Sequence, residues 1–578
     1  MFNKSVVGLN IRRADMSKYI LAIIMLICTA LSAQARVEFG CLTTTQRVLR
    51  EEPLPISKQV HFYAAKNERR SFQIFVRSNT PAKITSVVIS NLSGVGNNTI
   101  DASNAKLFRE HQLHITQPSL KNTNFKAGWY PDALIPFVNP IDGKPLKGAR
   151  FTAVPFELPA DETHGFWIDV FVPETTFAGD YKGKVILKIE DTENQSSITV
   201  SVTLSVWDFK LPDTPTLRTN FGSPKNGFKV YYTRLKELKK ITAEPKSEIL
   251  DKQVANLLTE NRFSAIPPFV FAPVLQGDGS YAIPAEQINA FRQFADKYNV
   301  NLFRVAHPKS FIKDPELEKD KLFAWLKAWD KAVAELNRPQ ITFILYVIDE
   351  PGNEEGYKFA RTWGRTIKEA KSVIKVMVTE QPKPQNPAWG DLYGSIDIWC
   401  PLFSKFDGPI EAQRQALGET IWAYTALCQG DPTPWWLTDH PLLNYNVPAW
   451  ISWRYGIRGL LYWGGMNFWN DAEDVWTQPI TLDRSDRAKN QVYNGEGSIT
   501  YPAFDVGFDG LAESMRLKAL RDAINDYEYM YILESRGQKA EAMNIVEPLA
   551  PSWFKWETDS AAYEKARIAL ANLIVKKK

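Results

Sequence analysis

The chain has 578 residues, 44% of them hydrophobic and 23% charged, with a formal net charge of only +4. This is an ordinary globular composition, long enough for at least two domains. A charge this small, with no dense Lys/Arg stripe, excludes nucleic acid as the expected partner, and six histidines without ligand spacing give no zinc site and no other metal or cofactor to expect.

At the N-terminus, Arg12, Arg13 and Lys18 precede an apolar run from Ile20 to Leu31, followed by Ala33-Gln34-Ala35. A basic flank, a short apolar core and an A-x-A site read as a secretory signal peptide over residues 1–35. The run is too short for a comfortable membrane span. Ile27 is not the small residue expected before a lipoprotein cysteine at Cys28, so the expectation is an exported, periplasmic or extracellular protein with no membrane insertion after cleavage. Cys41, Cys400 and Cys428 then remain; they make no disulfide framework, and buried free thiols are expected, with a Cys400–Cys428 pair left open.

From Val37 to about Lys210, segments such as Ser71–Arg77, Phe166–Val172, Lys182–Ile189 and Ile198–Trp207 are rich in Val, Ile and aromatics and often alternate apolar with polar residues. Alternation implies one buried and one wet face, hence an N-terminal antiparallel β-sandwich over residues 36–212. Leu211-Pro-Asp-Thr-Pro215 punctuates the chain as a domain boundary.

Beyond it, over residues 213–578, apolar runs alternate with amphipathic helical stretches. Candidate strands start near Leu217, Phe263, Asn301, Ile341, Val373, Ile396, Ile421 and Gly459, with helices such as Ser247–Asn261, Pro284–Tyr298 and Lys319–Leu336 between them. Eight such units point to a (β/α)8 TIM-type barrel, with a doubly wound sheet as the alternative, which the missing glycine-rich phosphate loop weakens. Helices over Leu511–Leu533 and Ala561–Ile574 close the chain. The fold class is therefore multidomain, β followed by α/β.

The fourth candidate strand, Ile341 to Ile348, runs into Asp349-Glu350-Pro351. Proline cannot continue the ladder, so both acids sit at the strand's C-terminal end, the face on which barrel active sites are built. Glycosidic bonds need an acid for the leaving oxygen and a group that stabilises the sugar cation. A carboxyl at an apolar strand end is expected to lose hydration, which raises its pKa towards a useful range. Adjacent strand residues, however, face opposite sides. Adjacent acids make sense if both approach one side of the sugar, as when a substrate's 2-acetamido oxygen attacks the anomeric carbon, one carboxylate orients the amide and its neighbour protonates the leaving group. The competing reading is a helix cap or surface ion pair.

Other strand ends offer substrate-binding candidates: Trp399, Tyr424, Tyr462 and Trp463 as rings for stacking or for an acetamido pocket, and Glu380 and His307 as polar contacts. For the rings the alternative is core packing, and for His307 a structural role. Glu496, in Asn494-Gly-Glu-Gly497, reads as a loop residue edging the mouth. Arg516, Arg521, Asp526 and Glu528 on the C-terminal helix read as a structural ion-pair network.

Taken in chain order, Ala65-Lys-Asn-Glu68 with Phe72-Gln73, Trp129-Tyr-Pro-Asp132, Pro173 through Gly179 with Tyr181, Asp349-Glu350-Pro351, Leu461-Tyr-Trp463, Ser514-Met-Arg516-Leu517, Arg521-Asp522 and Asp526-Tyr-Glu528 resemble glycoside hydrolase family 123. The resemblance spans nearly all the mature chain. It implies a retaining β-N-acetylgalactosaminidase assisted by the substrate's acetamido group, with Asp349 stabilising the oxazolinium-like intermediate, Glu350 as general acid/base and a glycan as the partner. Two alternatives stay open: a retaining glycosidase with a separate enzymic nucleophile such as Glu380, and a non-catalytic glycan-binding protein of the same architecture.

Overall fold

Apart from two two-residue strands, Leu92–Ser93 and Thr99–Ile100, at the margin of the second sheet, the described residues of the first part of the chain form ten strands: β1 (Val37–Leu42), β2 (Gln59–Lys66), β3 (Glu68–Ser78), β4 (Ala82–Ile89), β5 (Ala105–Ile115), β6 (Gly128–Pro136), β7 (Phe156–Leu158), β8 (His164–Val172), β9 (Gly179–Glu190) and β10 (Gln195–Lys210). The structure, a computed structural model, describes residues 37–190, 195–429, 432–483 and 491–576, so the predicted signal peptide and Cys28 lie outside the described residues. One sheet has the order β1-β3-β8-β5-β6 and the other β2-β10-β9-β4-β7. Their facing sides meet through residues spaced two apart, among them Phe72, Ile74 and Val76 of β3, Phe166, Ile168 and Val170 of β8, and Val200, Val202 and Leu204 of β10.

Two features depart from the expected sandwich. β2 and β10 pair parallel, the other ladders of the two sheets being antiparallel. Only Asn67, in the left-handed region at φ 61, separates β2 from β3, so the chain turns from one sheet to the other there and leaves β2 running alongside β10. The first sheet also has no wet face over much of its area. Its outward residues Phe108, Leu113, Tyr130, Leu134 and Trp167 join the core of the second half, next to Leu517, Leu520 and Ile524.

The second half carries parallel strands β11 (Arg218–Asn220), β12 (Leu302–Val305), β13 (Thr342–Ile348), β14 (Lys375–Val378), β15 (Ile398–Trp399), β16 (Thr420–Ile421), β17 (Ala423–Thr425) and β18 (Gly459–Tyr462). They form a five-stranded sheet β12-β13-β14-β15-β16 and a three-stranded sheet β11-β18-β17, with only Trp422 between β16 and β17. The helices are α1 (Lys225–Glu237), α2 (Ser247–Glu260), α3 (Ala285–Lys297), α4 (Lys319–Leu336), α5 (Glu354–Glu369), α6 (Pro409–Ala416), α7 (Val447–Arg454), α8 (Met515–Ser535), α9 (Lys539–Val546) and α10 (Ser560–Lys576). Among the described residues, no helix is long and apolar enough to cross a membrane.

Seven of the eight expected strand starts coincide with parallel strands. The eighth, near Phe263, joins no ladder: Arg262 is left-handed at φ 69, and Pro267 and Pro268 follow within a few residues. Its Ser264 nevertheless links β11 to the start of β12, donating its N–H to Thr219 Oγ1 at 2.9 Å and accepting from Asn301 N at 3.2 Å.

Alternation along the parallel strands sorts side chains into two cores. Leu302, Ile344, Met377, Ile398, Cys400, Trp422, Tyr424 and Leu461 pack on one another, with Tyr346 and Trp463 against them. The intervening Phe343, Leu345, Val376, Val378, Trp399, Ile421, Ala423, Leu460 and Tyr462 face the helices.

α8 is buried along nearly its whole length, charged residues included. Each charge meets a partner: Arg516 Nε with Asp132 at 2.8 Å, Lys518 with Glu513 at 2.6 Å, Arg521 with Asp169 at 2.6 Å, and Asp526 with Arg567 of α10 at 2.7 Å. Glu528 accepts from Thr216 N at 2.7 Å. Burial alone would raise the Asp169 carboxyl, but Arg521 and Lys518 outweigh it and hold it well below the ordinary range. The helix is an ionic seam between the first sheet and the α/β half.

Candidate active site

β13 delivers Tyr346 to the inner core and ends at the acid pair. Its register with β14 shifts between Tyr346 and Ile348, and Glu350 adopts the left-handed region at φ 38. A regular strand would send Asp349 and Glu350 to opposite faces. Here both carboxylates reach hydroxyls of the same inner cluster. Tyr346 Oη donates to Asp349 Oδ1, and Thr379 Oγ1 donates to the same oxygen at 2.9 Å. Thr379 Oγ1 also accepts Glu350 N–H at 2.9 Å, so one hydroxyl ties the two acids together. Tyr424 Oη donates to Glu350 Oε1, and Cys428 Sγ lies 3.9 Å from that oxygen.

Burial, then the neighbouring carboxylate, pushes both tyrosines well above their ordinary pKa, Tyr346 beside Asp349 and Tyr424 beside Glu350. They stay protonated and act as donors. The carboxylates themselves are exposed, contrary to the expected loss of hydration at the strand end, because the chain leaves the sheet at Glu350 and turns both acids towards solvent. Arg304 of β12 lies 4.5 Å from the Tyr346 ring centroid. From Arg304 a cleft of about 210 Å³ runs over the ends of β11 and β12, lined also by Phe221, Gly222, Ser223, Ile266 and Pro267.

The predicted binding residues divide sharply. Tyr424 and Trp463 belong to the inner cluster, and Trp463 is half-buried at the end of β18. Trp399 faces the other way, fully buried under the helices, its indole N–H donating to Glu419 Oε2 at 2.6 Å. Tyr462 also faces outward, packed on Trp436 with ring centroids 5.1 Å apart. In strands buried on both sides the outward residues are as apolar as the inward ones, so neither ring reaches the acid pair. His307 packs edge-on against Trp363 of α5 at 4.5 Å and caps a short helical turn by accepting Lys309 N–H, while burial, Lys309 and Arg304 push it down to about 4. Its Nδ1 is thus taken by the backbone, and its Nε2 is buried without a hydrogen-bond partner. Glu380, only 2% exposed, accepts from Gln381 N at 3.1 Å and from Gln385 Nε2. Burial, with a contribution from the Glu350 charge, pushes it up to about 7.

Tyr346, Thr379 and Cys428 were not among the expected site residues. Tyr346 shares the inward phase of Ile344, and its position three residues before Asp349 is the signal that could have found it. Cys428 is exposed rather than buried, and all three described cysteines are free. Charged and polar groups at this strand end can hold an amide, donate a proton and bind hydroxyls, which is the equipment of glycoside cleavage.

Two models of one glycoside hydrolase family match the chain. The glycoside hydrolase 123 N-terminal domain model matches residues 43–189, and the glycoside hydrolase 123 catalytic domain model matches residues 295–533. Among solved structures, a family 123 glycoside hydrolase from Clostridium perfringens, studied for glycolipid glycan hydrolysis, is 14% identical with a TM-score of 0.60, covering 94% of this chain and 98% of its own. A putative alpha-galactosidase from Bacteroides fragilis is 11% identical with a TM-score of 0.25, covering 84% of this chain and 79% of its own. No curated protein matches the sequence.

Proposed function

Because the chain belongs to glycoside hydrolase family 123, we propose that it removes β-linked N-acetylhexosamine, specifically N-acetylgalactosamine, from glycans with retention of configuration. The observation that carries this reading is the turn at Glu350, which brings two adjacent carboxylates to one inner cluster instead of two faces of a strand. Asp349, fixed by Tyr346 and Thr379, orients the substrate's acetamido group and stabilises the positive charge that develops as its oxygen attacks the anomeric carbon. Glu350, held by Tyr424, protonates the departing oxygen and then takes a proton from the incoming water. Trp463 serves as a wall for the sugar.

The two parallel sheets are read as arcs of one (β/α)8 barrel, with the Ser264 segment standing between β11 and β12 as the irregular second stave. That reading makes the acid pair's location the usual active-site face and the cleft beside Arg304 the place for the rest of the glycan. The relative from Clostridium perfringens is described for glycolipid glycans, and a glycan on a lipid or protein carrier, met outside the cytoplasm, is the substrate class proposed here.

The test is Glu350→Gln assayed on an aryl β-N-acetylgalactosaminide. Turnover should fall at least about a hundredfold, the low end of general acid/base contributions, with an unchanged thermal midpoint. Full activity in that variant refutes the assignment.

A further inference from the structure

Trp463 is held from behind by a loop that none of the chemistry above uses. Strands β19 (Ile480–Asp483) and β20 (Gln491–Asn494) lead into Gly495-Glu496-Gly497. Glu496 is fully buried, and its Oε1 accepts the Trp463 indole N–H at 2.8 Å, with the Trp435 indole and the Tyr462 hydroxyl as further polar neighbours of the carboxyl. Gly497 sits at φ 73, and a Cβ there would stand 2.9 Å from Trp463 Cζ2, so the ring rests edge-on against the loop backbone.

The loop is itself anchored from two directions. Thr481 Oγ1 donates to the Glu496 carbonyl at 2.6 Å. Arg516 of α8 donates through Nη1 to Gly495 O at 2.8 Å and also to Ser498 O, while its Nε pairs with Asp132 of β6. A chain of direct contacts thus runs from the first sheet through α8 to an aromatic ring of the active-site cluster.

A backbone carbonyl or a glutamine would satisfy an indole N–H, and a carboxyl buried this completely is costly to keep. We propose that Glu496 is a positioning residue: it fixes the plane of Trp463 against the bound sugar, and Asp132 acting through Arg516 holds the loop that presents it. The inference rests on the reading of Trp463 as the sugar-facing wall. Burial pushes the Glu496 carboxyl up to about 8, against the lowering pull of the Trp463 hydrogen bond and of Arg516, so near neutral pH the group is largely protonated while Oε1 still accepts from the indole. Glutamine reproduces that protonated form.

The experiment is a double-mutant cycle on hydrolysis of an aryl β-N-acetylgalactosaminide. Glu496→Met, close in shape but without an oxygen acceptor, should raise KM about tenfold with kcat nearly unchanged, the signature of lost sugar binding. Glu496→Gln should restore the wild-type KM. In a Trp463→Phe background, which has no indole N–H, Glu496→Met should add nothing; additive effects, or an unchanged KM in the single variant, overturn the proposal. Glu496→Leu replaces the methionine variant if that protein fails to fold.

Should the wild type hydrolyse no aryl β-N-acetylhexosaminide, the functional reading falls and the positioning is read spectroscopically. In 5-fluorotryptophan-labelled protein, the fluorine resonance missing from Trp463→Phe belongs to residue 463. Its displacement in Glu496→Met but not in Glu496→Gln upholds the contact's role, and an unmoved resonance in both overturns it.

Discussion

Replacing Glu380 with glutamine separates a buried structural acid from a catalytic one. Burial lifts this carboxyl from 4.5 to about 7. Its folded pKa therefore lies above its unfolded value, so the native protein keeps a proton that the unfolded chain has released. Stability from this group is full below about pH 4.5 and drains away as pH rises through 7. At about 1.4 kcal/mol per unit, and allowing for partial titration at each end, the wild type should lose about 2 kcal/mol from this group between pH 5 and 7. Glutamine does not titrate, so Glu380→Gln should lack that loss. Paired urea titrations at pH 5, 6 and 7 measure it, because every other titrating group cancels in the difference between the two proteins. Parallel pH dependence would refute the burial argument. The same variant tests mechanism: both carboxyl oxygens already have partners, so turnover should stay within a few-fold of wild type, and a collapse would make Glu380 the nucleophile.

Tyr424→Phe removes the donor that holds Glu350 and should lower kcat by roughly ten- to a hundredfold with little change in the thermal midpoint, read by steady-state kinetics beside calorimetry. Asp169→Asn leaves Arg521 and Lys518 short of a buried countercharge and should cost about 3–5 kcal/mol, seen as a lower unfolding midpoint with unchanged turnover per folded molecule.

Much of this architecture is legible in the residues. Apolar runs of strand length alternating with amphipathic helices locate seven parallel strands within two residues of their starts, and Asp349-Glu350-Pro351 marks the end of one of them. The charges of α8 are legible as a network because so many on one helix need partners, although the partners Asp132 and Asp169 lie hundreds of residues away. What resists reading is phase. Ile398 and Cys400 point inward and Trp399 outward, and Leu461 and Trp463 inward and Tyr462 outward, yet all six are apolar or aromatic because both faces of these strands are buried. Hence two of the four expected rings, Trp399 and Tyr462, lie in the outer core, away from the inner cluster. The segment near Phe263 departs from expectation for another reason: Pro267 and Pro268 end a stretch that connects its neighbours through the Ser264 side chain rather than a ladder. The adjacency of the acids looked awkward for a strand, and a single left-handed residue, Glu350, resolves it. No local pattern announces positive φ at a glutamate.

The most direct test of substrate assistance is the rate of hydrolysis of aryl β-N-acetylgalactosaminides whose acetyl group carries none, one, two or three fluorines. Each fluorine drains electron density from the amide oxygen while barely changing its size. If that oxygen attacks the anomeric carbon under the guidance of Asp349, kcat/KM should fall stepwise along the series. A flat series, with a glycosyl-enzyme trapped by a fluorosugar, would contradict it and assign the attack to a carboxylate of the protein.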